Sequence, residues 1–184
     1  MKLIGLIFLL LIYSTKVYSQ TISPGIYEIK SDIEEISLQV NQFGFYQKIC
    51  SFKKIYGFIQ VNNNVNKSIV NFNIDTTTAD TGVDSWNNRL IKSGLFKNED
   101  NQKISLFATN LNVANENQIG SLNIFGQDSE TKFKINKISC KKDSCSMLIL
   151  VFFDKKDYKI INLFNTIDNK VLIKIPIKLN LVAN

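Results

Sequence analysis

The sequence has no histidine, and it has only two prolines, eight glycines and three cysteines among its 184 residues. Without histidine, the chain cannot build a catalytic triad that uses imidazole, a zinc site with imidazole ligands or a haem held by histidine. No Cys-x-x-Cys pair is present. No linker rich in glycine or proline, no repeat and no low-complexity tract divides the chain. The composition therefore indicates one domain without histidine-dependent chemistry.

The N-terminus has the features of a secretory signal peptide. Lys2 precedes an apolar run from Leu3 to Tyr13, and modest-sized residues lie three and one before a cut after Ser19. A membrane anchor is the alternative, but the apolar run is shorter than the roughly 20 residues that a spanning helix needs. We therefore expect residues 1–19 to be removed on export and residues 20–184 to form the mature domain.

The charge is mildly positive. The formal net charge is +6, and removal of Lys2 and Lys16 with the signal peptide leaves +4. The remaining lysines are scattered, and several, such as Lys174 and Lys178, alternate with apolar residues. We interpret them as a solvated outer face and not as a nucleic-acid surface. A basic shell also suits an anionic lipid head group or a transient contact with a membrane surface.

Two of the cysteines are candidates for a disulfide. Cys140 and Cys145 flank the polar stretch 141–144, which is typical of a hairpin tip. In an oxidising compartment the two thiols could face each other across that hairpin and form a bond. Cys50 would then be unpaired, and we interpret it as a buried thiol that packs like a small apolar side chain.

Cys50 also allows a second interpretation, in which the protein is a secreted hydrolase with a thiol nucleophile. A catalytic thiolate needs a base or a cation that lowers its pKa. The lysines nearest in sequence are Lys48, Lys53 and Lys54. We consider this interpretation weaker because no histidine is available.

Apolar and polar residues alternate along most of the mature chain. Val70, Phe72 and Ile74, for example, alternate with Asn71 and Asn73. One apolar face and one polar face per strand is typical of an antiparallel sheet with one wetted side. Seven or eight such strands separated by polar turns predict an all-β sandwich or a closed barrel.

Residues 83–93 break this alternation. Val83, Trp86 and Leu90 are spaced by three and four residues, which predicts one face of a short helix. A sheet that closes into a barrel leaves an open end. We expect this helix to cover that end as a lid.

Short motifs follow one another in a fixed order along nearly the whole mature chain. They are Tyr27-Glu-Ile29, Phe52 with Gly57, Ile74 with Thr81-Gly82, Leu90 with Lys92-Ser93 and Phe96, and Gly120-x-Leu122-x-Ile124-x-Gly126. Their order and spacing resemble the YceI-like family of bacterial periplasmic lipid-binding proteins. The resemblance implies an antiparallel eight-stranded lipocalin-like barrel, a periplasmic location and no enzymatic activity. It implies no cofactor apart from a bound isoprenoid lipid or quinone.

A hollow barrel of this kind would hold its ligand against inward-facing apolar side chains. The implied lining residues are Leu38, Val40, Val70, Phe72, Ile74, Leu106, Leu122, Ile124, Phe133, Ile149, Val151, Phe153, Ile173 and Ile175. Flexible hydrocarbon suits such a lining, because each buried methylene contributes roughly 0.8 kcal/mol.

The polar head of the ligand would lie at the mouth of the barrel. The candidate residues there are Asn41, Trp86, Arg89, Leu90 and Lys155. We expect Arg89 to bind a phosphate or quinone oxygen, because a guanidinium has directed donors. The alternatives are an Arg89 that is simply exposed on the helix and a Trp86 that packs the lid.

Two functions remain open at this point. The first is carriage or sequestration of a long-chain polyisoprenoid or similar amphipathic lipid. The second is a stress or interaction protein with a filled β-core and no ligand. The oligomeric state, including a homodimer, stays open as well.

Overall fold

The computed structural model describes residues 22–30, 35–64, 67–92, 102–111, 117–141, 144–160 and 168–182. The predicted signal peptide, residues 1–19, lies outside these ranges. The described strands are β1 (Gly25–Lys30), β2 (Ile36–Gln42), β3 (Phe45–Phe52), β4 (Ile55–Val61), β5 (Ser68–Asp75), β6 (Lys103–Leu111), β7 (Gln118–Ile124), β8 (Gln127–Lys141), β9 (Ser144–Asp154) and β10 (Lys170–Leu181). The described ranges also hold one α-helix, α1 (Asp84–Lys92), and 3₁₀ turns at Thr76–Thr78 and Lys155–Tyr158. The helix predicted near residues 83–93 is thereby confirmed.

The strands form a closed antiparallel barrel. The strand order is β1-β4-β5-β6-β7-β8-β9-β10, and a pairing of β1 with β10 closes the ring. The hairpin of β2 and β3 continues this wall, because β2 pairs with Val171–Lys174 of β10 while β1 pairs with Lys178–Leu181. β1 and β2 therefore act together as one long strand with an interruption. The same holds for β3 and β4. The predicted eight-stranded antiparallel barrel is confirmed.

The alternation of the sequence explains which side chains fill the barrel. On β5, Ser68, Val70, Phe72 and Ile74 are buried, and the residues between them are only partly buried. Leu106 of β6 lies directly opposite Phe72, so inward residues of neighbouring strands meet in rows. The apolar core draws on all ten strands. Burial of these rows is the main favourable term that holds the wall closed.

One glycine is required by the wall itself. Gly57 on β4 has a φ of +146° and lies opposite Phe72 on β5. A Cβ at this position would come within 2.6 Å of the Phe72 Cα. Only glycine therefore allows β4 and β5 to approach so closely.

The two ends of the barrel differ. We call the end that holds α1, both 3₁₀ turns and the β2–β3 turn the helix end. The Ser51 and Asp80 backbones pair there, with N–H to O distances of 2.8 Å in each direction, so the segment before α1 lies against β3. The opposite end holds the β4–β5 and β8–β9 connections. No helix in the described ranges is long and apolar enough to cross a membrane.

Cys140 and Cys145 form a disulfide. They face each other as directly opposite residues of the β8–β9 hairpin, with their Cα atoms 4.1 Å apart. Cys50 is a buried free thiol. The disulfide therefore lies at the opposite end of the barrel, remote from the helix end.

Candidate ligand site at the helix end of the barrel

The predicted lining residues all face inward and are buried. Those with a relative exposure of 0% are Val40, Val70, Phe72, Ile74, Leu106, Phe133, Ile149, Val151, Ile173 and Ile175. A side chain without accessible surface contacts no space large enough for a water molecule, so these ten pack against one another and against their neighbours. The structure thus shows these ten side chains as buried, and a lipid-filled hollow along them stays a prediction. The interior of an eight-stranded ring is just wide enough to be filled by side chains or to hold one small ligand.

The remaining lining residues are slightly more accessible. Leu38 and Phe153 keep 6% and 9% of their surface, and both lie in the half of the barrel next to the helix end. Leu122 and Ile124 keep 1% each. Within this set, the residues that keep the most solvent-accessible surface therefore lie towards the helix end.

A tight turn after β9 brings polar groups to this end. Asp154 starts the turn, because its Oδ1 accepts a hydrogen bond of 2.9 Å from the Lys156 N–H. Lys159 ends the turn with a left-handed φ of 56°. The turn packs Tyr158 edge-on against Phe153, with ring centroids 5.2 Å apart and an interplanar angle of 81°.

Tyr158 is the most unusual polar group at the site. Its side chain is 2% exposed, and its hydroxyl has no hydrogen-bond partner. Burial raises the pKa of Tyr158 to about 12, with a partial offset from the nearby Ser129 hydroxyl. Ser129 lies opposite the inward-facing Leu122 on the β7–β8 pair, so it belongs to the inner wall. Sequence reasoning missed Tyr158, because its direction depends on the turn and not on strand alternation.

Lys155 is in the same turn and is fully buried. Its backbone N–H donates to the Asn169 carbonyl at 2.9 Å. Burial lowers the pKa of Lys155, while the carboxylates of Asp154 and Asp168 oppose this shift. Lys155, which was predicted at the mouth of the barrel, lies at the helix end, where the 3₁₀ turn folds it away from solvent.

Asn41 lies on the other side of β10 from this turn. Val171 of β10 pairs with both Val40 and Phe153, so Asn41 and Lys155 share the helix end. The Asn41 Oδ1 accepts a hydrogen bond of 3.0 Å from the Gly44 N–H. This bond shapes the β2–β3 turn.

Two apolar side chains at the start of the helix remain partly exposed. Trp86 and Val83 are each 50% exposed, so neither side chain belongs to the buried apolar core. The reason is that a polar side chain anchors α1: the Asn87 Oδ1 accepts from the Thr81 N–H at 2.8 Å, and its Nδ2 donates to the Asp80 Oδ1 at 3.2 Å.

Two predicted site residues of α1 are only partly described. Arg89 and Leu90 belong to the helix, and their side chains lie outside the described part of the structure. Head-group binding by Arg89 therefore stays a prediction.

Comparison with known proteins decides the family. The model of the family described as the YceI-like domain matches residues 27–182. The chain belongs to the YceI-like family. Among functionally curated proteins, none matches the sequence.

Solved structures share the YceI-like fold at low identity. Burkholderia cenocepacia BcnA has a TM-score of 0.64 and 13% identity, with 78% of this chain and 94% of BcnA covered. A polyisoprenoid binding domain from Saccharophagus degradans, implicated in plant cell wall breakdown, has a TM-score of 0.60 and 14% identity, covering 85% and 98%. The Campylobacter jejuni YCEI protein has a TM-score of 0.59 and 15% identity, covering 78% and 91%. At these identities the likeness concerns the fold.

The buried thiol of this YceI-like barrel is poorly suited to catalysis. Burial raises the pKa of Cys50 to about 11, and the thiol donates to the Ser51 carbonyl at 3.5 Å. A thiol of that pKa is protonated at neutral pH, which is the reverse of what a nucleophile needs. The hydrolase interpretation therefore gains no support from the site.

The outer wall of the YceI-like barrel carries a separate depression of about 710 Å³. It lies where β6 and β7 separate beyond the paired residues Phe107 and Ser121. Exposed Ile119 and Glu130 line it together with other polar residues. Its lining also includes Ser129 of the inner wall and the buried Ala108 and Gln118.

Proposed function

We propose that this protein binds a polyisoprenoid or a similar amphipathic lipid in the periplasm, and that it carries or sequesters the lipid without chemical change. The hydrocarbon chain would enter the barrel, and the polar head would remain at the helix end. The observation that carries the proposal is the closed wall of a YceI-like barrel around an apolar interior, with Lys155 and Tyr158 buried at one end. A solved relative of the same fold is named as a polyisoprenoid binding domain.

Binding inside this barrel requires movement of side chains. Ten inward residues have no accessible surface, so the chain of a lipid must separate packed groups before it can take their place. Each five-carbon isoprene unit contributes roughly 4 kcal/mol of gross transfer free energy when it is buried. Several units can offset the loss of packing contacts. Long chains should therefore bind much better than short ones.

Carriage also requires contact with a membrane, and the β2–β3 turn is suited to it. Phe43 lies in this turn and Phe45 directly follows it at the helix end, and they are 84% and 76% exposed. Two large apolar side chains at a projecting tip can enter the interfacial layer of a bilayer. The tip would then hold the helix end of the barrel against the lipid surface from which a ligand is taken.

The test is lipid extraction from the mature protein purified from a bacterial periplasm, followed by mass spectrometry. The proposal expects a long-chain isoprenoid in amounts close to one per chain. Purified protein should also take up added prenyl lipids, and Trp86 can report this because it is the one tryptophan of the sequence and belongs to α1. Protein that is repeatedly empty and fails to take up prenyl lipids would contradict the proposal.

The packed interior also favours a second candidate function. An interaction or stress protein would need only a filled and stable β-core, and the ten inward residues without accessible surface fit that description. The two candidates differ in one measurable respect. A filled-core protein shows no uptake of isoprenoids at any chain length, whereas a carrier shows uptake that strengthens with chain length.

A further inference from the structure

A buried hydroxyl without a partner is unusual in a folded protein. Most buried polar side chains have at least one hydrogen-bond partner, and an exception calls for an explanation such as a ligand. The Tyr158 hydroxyl is such an exception, since its side chain is 2% exposed and the hydroxyl has no partner. By contrast, the buried Tyr27 donates its hydroxyl to the Ser23 carbonyl at 2.9 Å.

The position of Tyr158 connects the apolar interior with the helix end. Its ring packs against Phe153, which is one of the two most accessible residues of the predicted lining. Ser129, on the inner wall, is close enough to the Tyr158 hydroxyl to lower its pKa in part. A ligand chain that entered beside Phe153 would therefore place its head near the Tyr158 hydroxyl.

The charges around Tyr158 indicate what kind of head it would accept. The carboxylates of Asp157 and Asp128 both raise the pKa of the Tyr158 hydroxyl, because their charge disfavours another negative charge nearby. The hydroxyl keeps its proton at neutral pH, as an ordinary phenol does, and burial raises the pKa of Tyr158 further, to about 12. The group is therefore a permanent hydrogen-bond donor in surroundings that are unfavourable for an anion.

We propose that the Tyr158 hydroxyl donates a hydrogen bond to an uncharged oxygen on the ligand head, such as the carbonyl of an isoprenoid quinone. This inference rests on the proposed function, because it assigns a head-group contact to the same lipid site. It makes Tyr158 a residue that selects between lipids with the same kind of chain and different heads. A prenyl phosphate would gain little from it.

The test compares Tyr158→Phe with the native protein and with Tyr27→Phe as a matched control. The probes are decylubiquinone, geranylgeranyl phosphate and the head-free hydrocarbon squalene, and native mass spectrometry measures the bound fraction of each. We expect Tyr158→Phe to weaken decylubiquinone binding by about five- to tenfold, as loss of one hydrogen bond does. Squalene and geranylgeranyl phosphate should bind as they do to the native protein.

Thermal unfolding supplies a second readout. Tyr158→Phe removes a hydroxyl that has no partner, so its melting temperature should equal or exceed the native value. Tyr27→Phe breaks a hydrogen bond, so its melting temperature should fall while the order of preference among the three probes stays the same. Equal weakening of all three probes by Tyr158→Phe, or no weakening of any, would overturn the role of Tyr158. A native protein that binds none of the probes would overturn the proposed function as well.

Discussion

Ser51 on β3 and Asp80 before α1 exchange two backbone hydrogen bonds of 2.8 Å each. Asp80 also accepts hydrogen bonds through its carboxylate, from the Gly82 N–H at 2.8 Å and from the Asn87 Nδ2 at 3.2 Å. One residue thus joins the wall of the barrel to the helix at its end. The position of α1 depends on this polar anchor and not on apolar packing of Trp86, which is half-exposed.

The anchor should depend on pH. Hydrogen bonds from Gly82 and Asn87 lower the pKa of Asp80 below its usual value of 3.8. A carboxyl with a lowered pKa stabilises the fold above that usual value, and its contribution is lost as the pH falls through the lowered pKa. We expect the fluorescence of Trp86 to change in that acidic range as α1 loosens. The change should be smaller in Asp80→Asn, and identical titration curves for the two proteins would refute the anchor.

Gly57 should tolerate substitution worse than other glycines. An alanine there would have a φ of +146° and a Cβ 2.6 Å from the Phe72 Cα. We expect Gly57→Ala to lower the free energy of unfolding by about 3 kcal/mol, through overpacking and backbone strain together. Gly44→Ala is the control, since Gly44 has a φ of +89° and no heavy atom within 4 Å of a built Cβ. It should cost about 1 kcal/mol. Urea denaturation measures both values. Equal losses of unfolding free energy in the two variants would count against the close approach of β4 to β5.

The sequence predicts the wall of this barrel well, because strand alternation and burial share the same period. Ile149 and Val151 have the parity of the buried face and are fully buried. Trp86 shows where this reasoning fails, since spacing identified a helix face but a polar contact through Asn87 decides how the helix sits. Tyr158 shows a second failure, because a 3₁₀ turn sets its direction.

The exposed tip of the β2–β3 hairpin gives a prediction about lipid transfer. Replacing Phe43 and Phe45 together by serine should leave the barrel folded, because both side chains are at least three-quarters exposed. Removing two apolar groups that enter a bilayer should weaken binding to phosphatidylcholine vesicles at least tenfold. Uptake of an isoprenoid presented in detergent should not change. Co-sedimentation with vesicles measures the first effect and native mass spectrometry the second.

A matched control for the tip lies on the outer wall. Phe107 and Ile119 are 48% and 57% exposed, and they are away from the helix end. Replacing both by serine also removes exposed apolar surface, although less than at the tip, and it does not touch the β2–β3 turn. If this control weakens vesicle binding as much as the change at Phe43 and Phe45, the tip is not the docking surface.

The central claim is that the hydrocarbon chain of a lipid lies inside the barrel, and photolabelling tests it most directly. An isoprenoid with a diazirine at the end of its tail would be bound, irradiated and located by peptide mass spectrometry. We expect labels on inward residues such as Phe72 and Leu106, which are directly paired on the neighbouring strands β5 and β6. Labels confined to outward residues such as Phe107 and Ile119, or no labelling above the level of an unrelated protein, would contradict it.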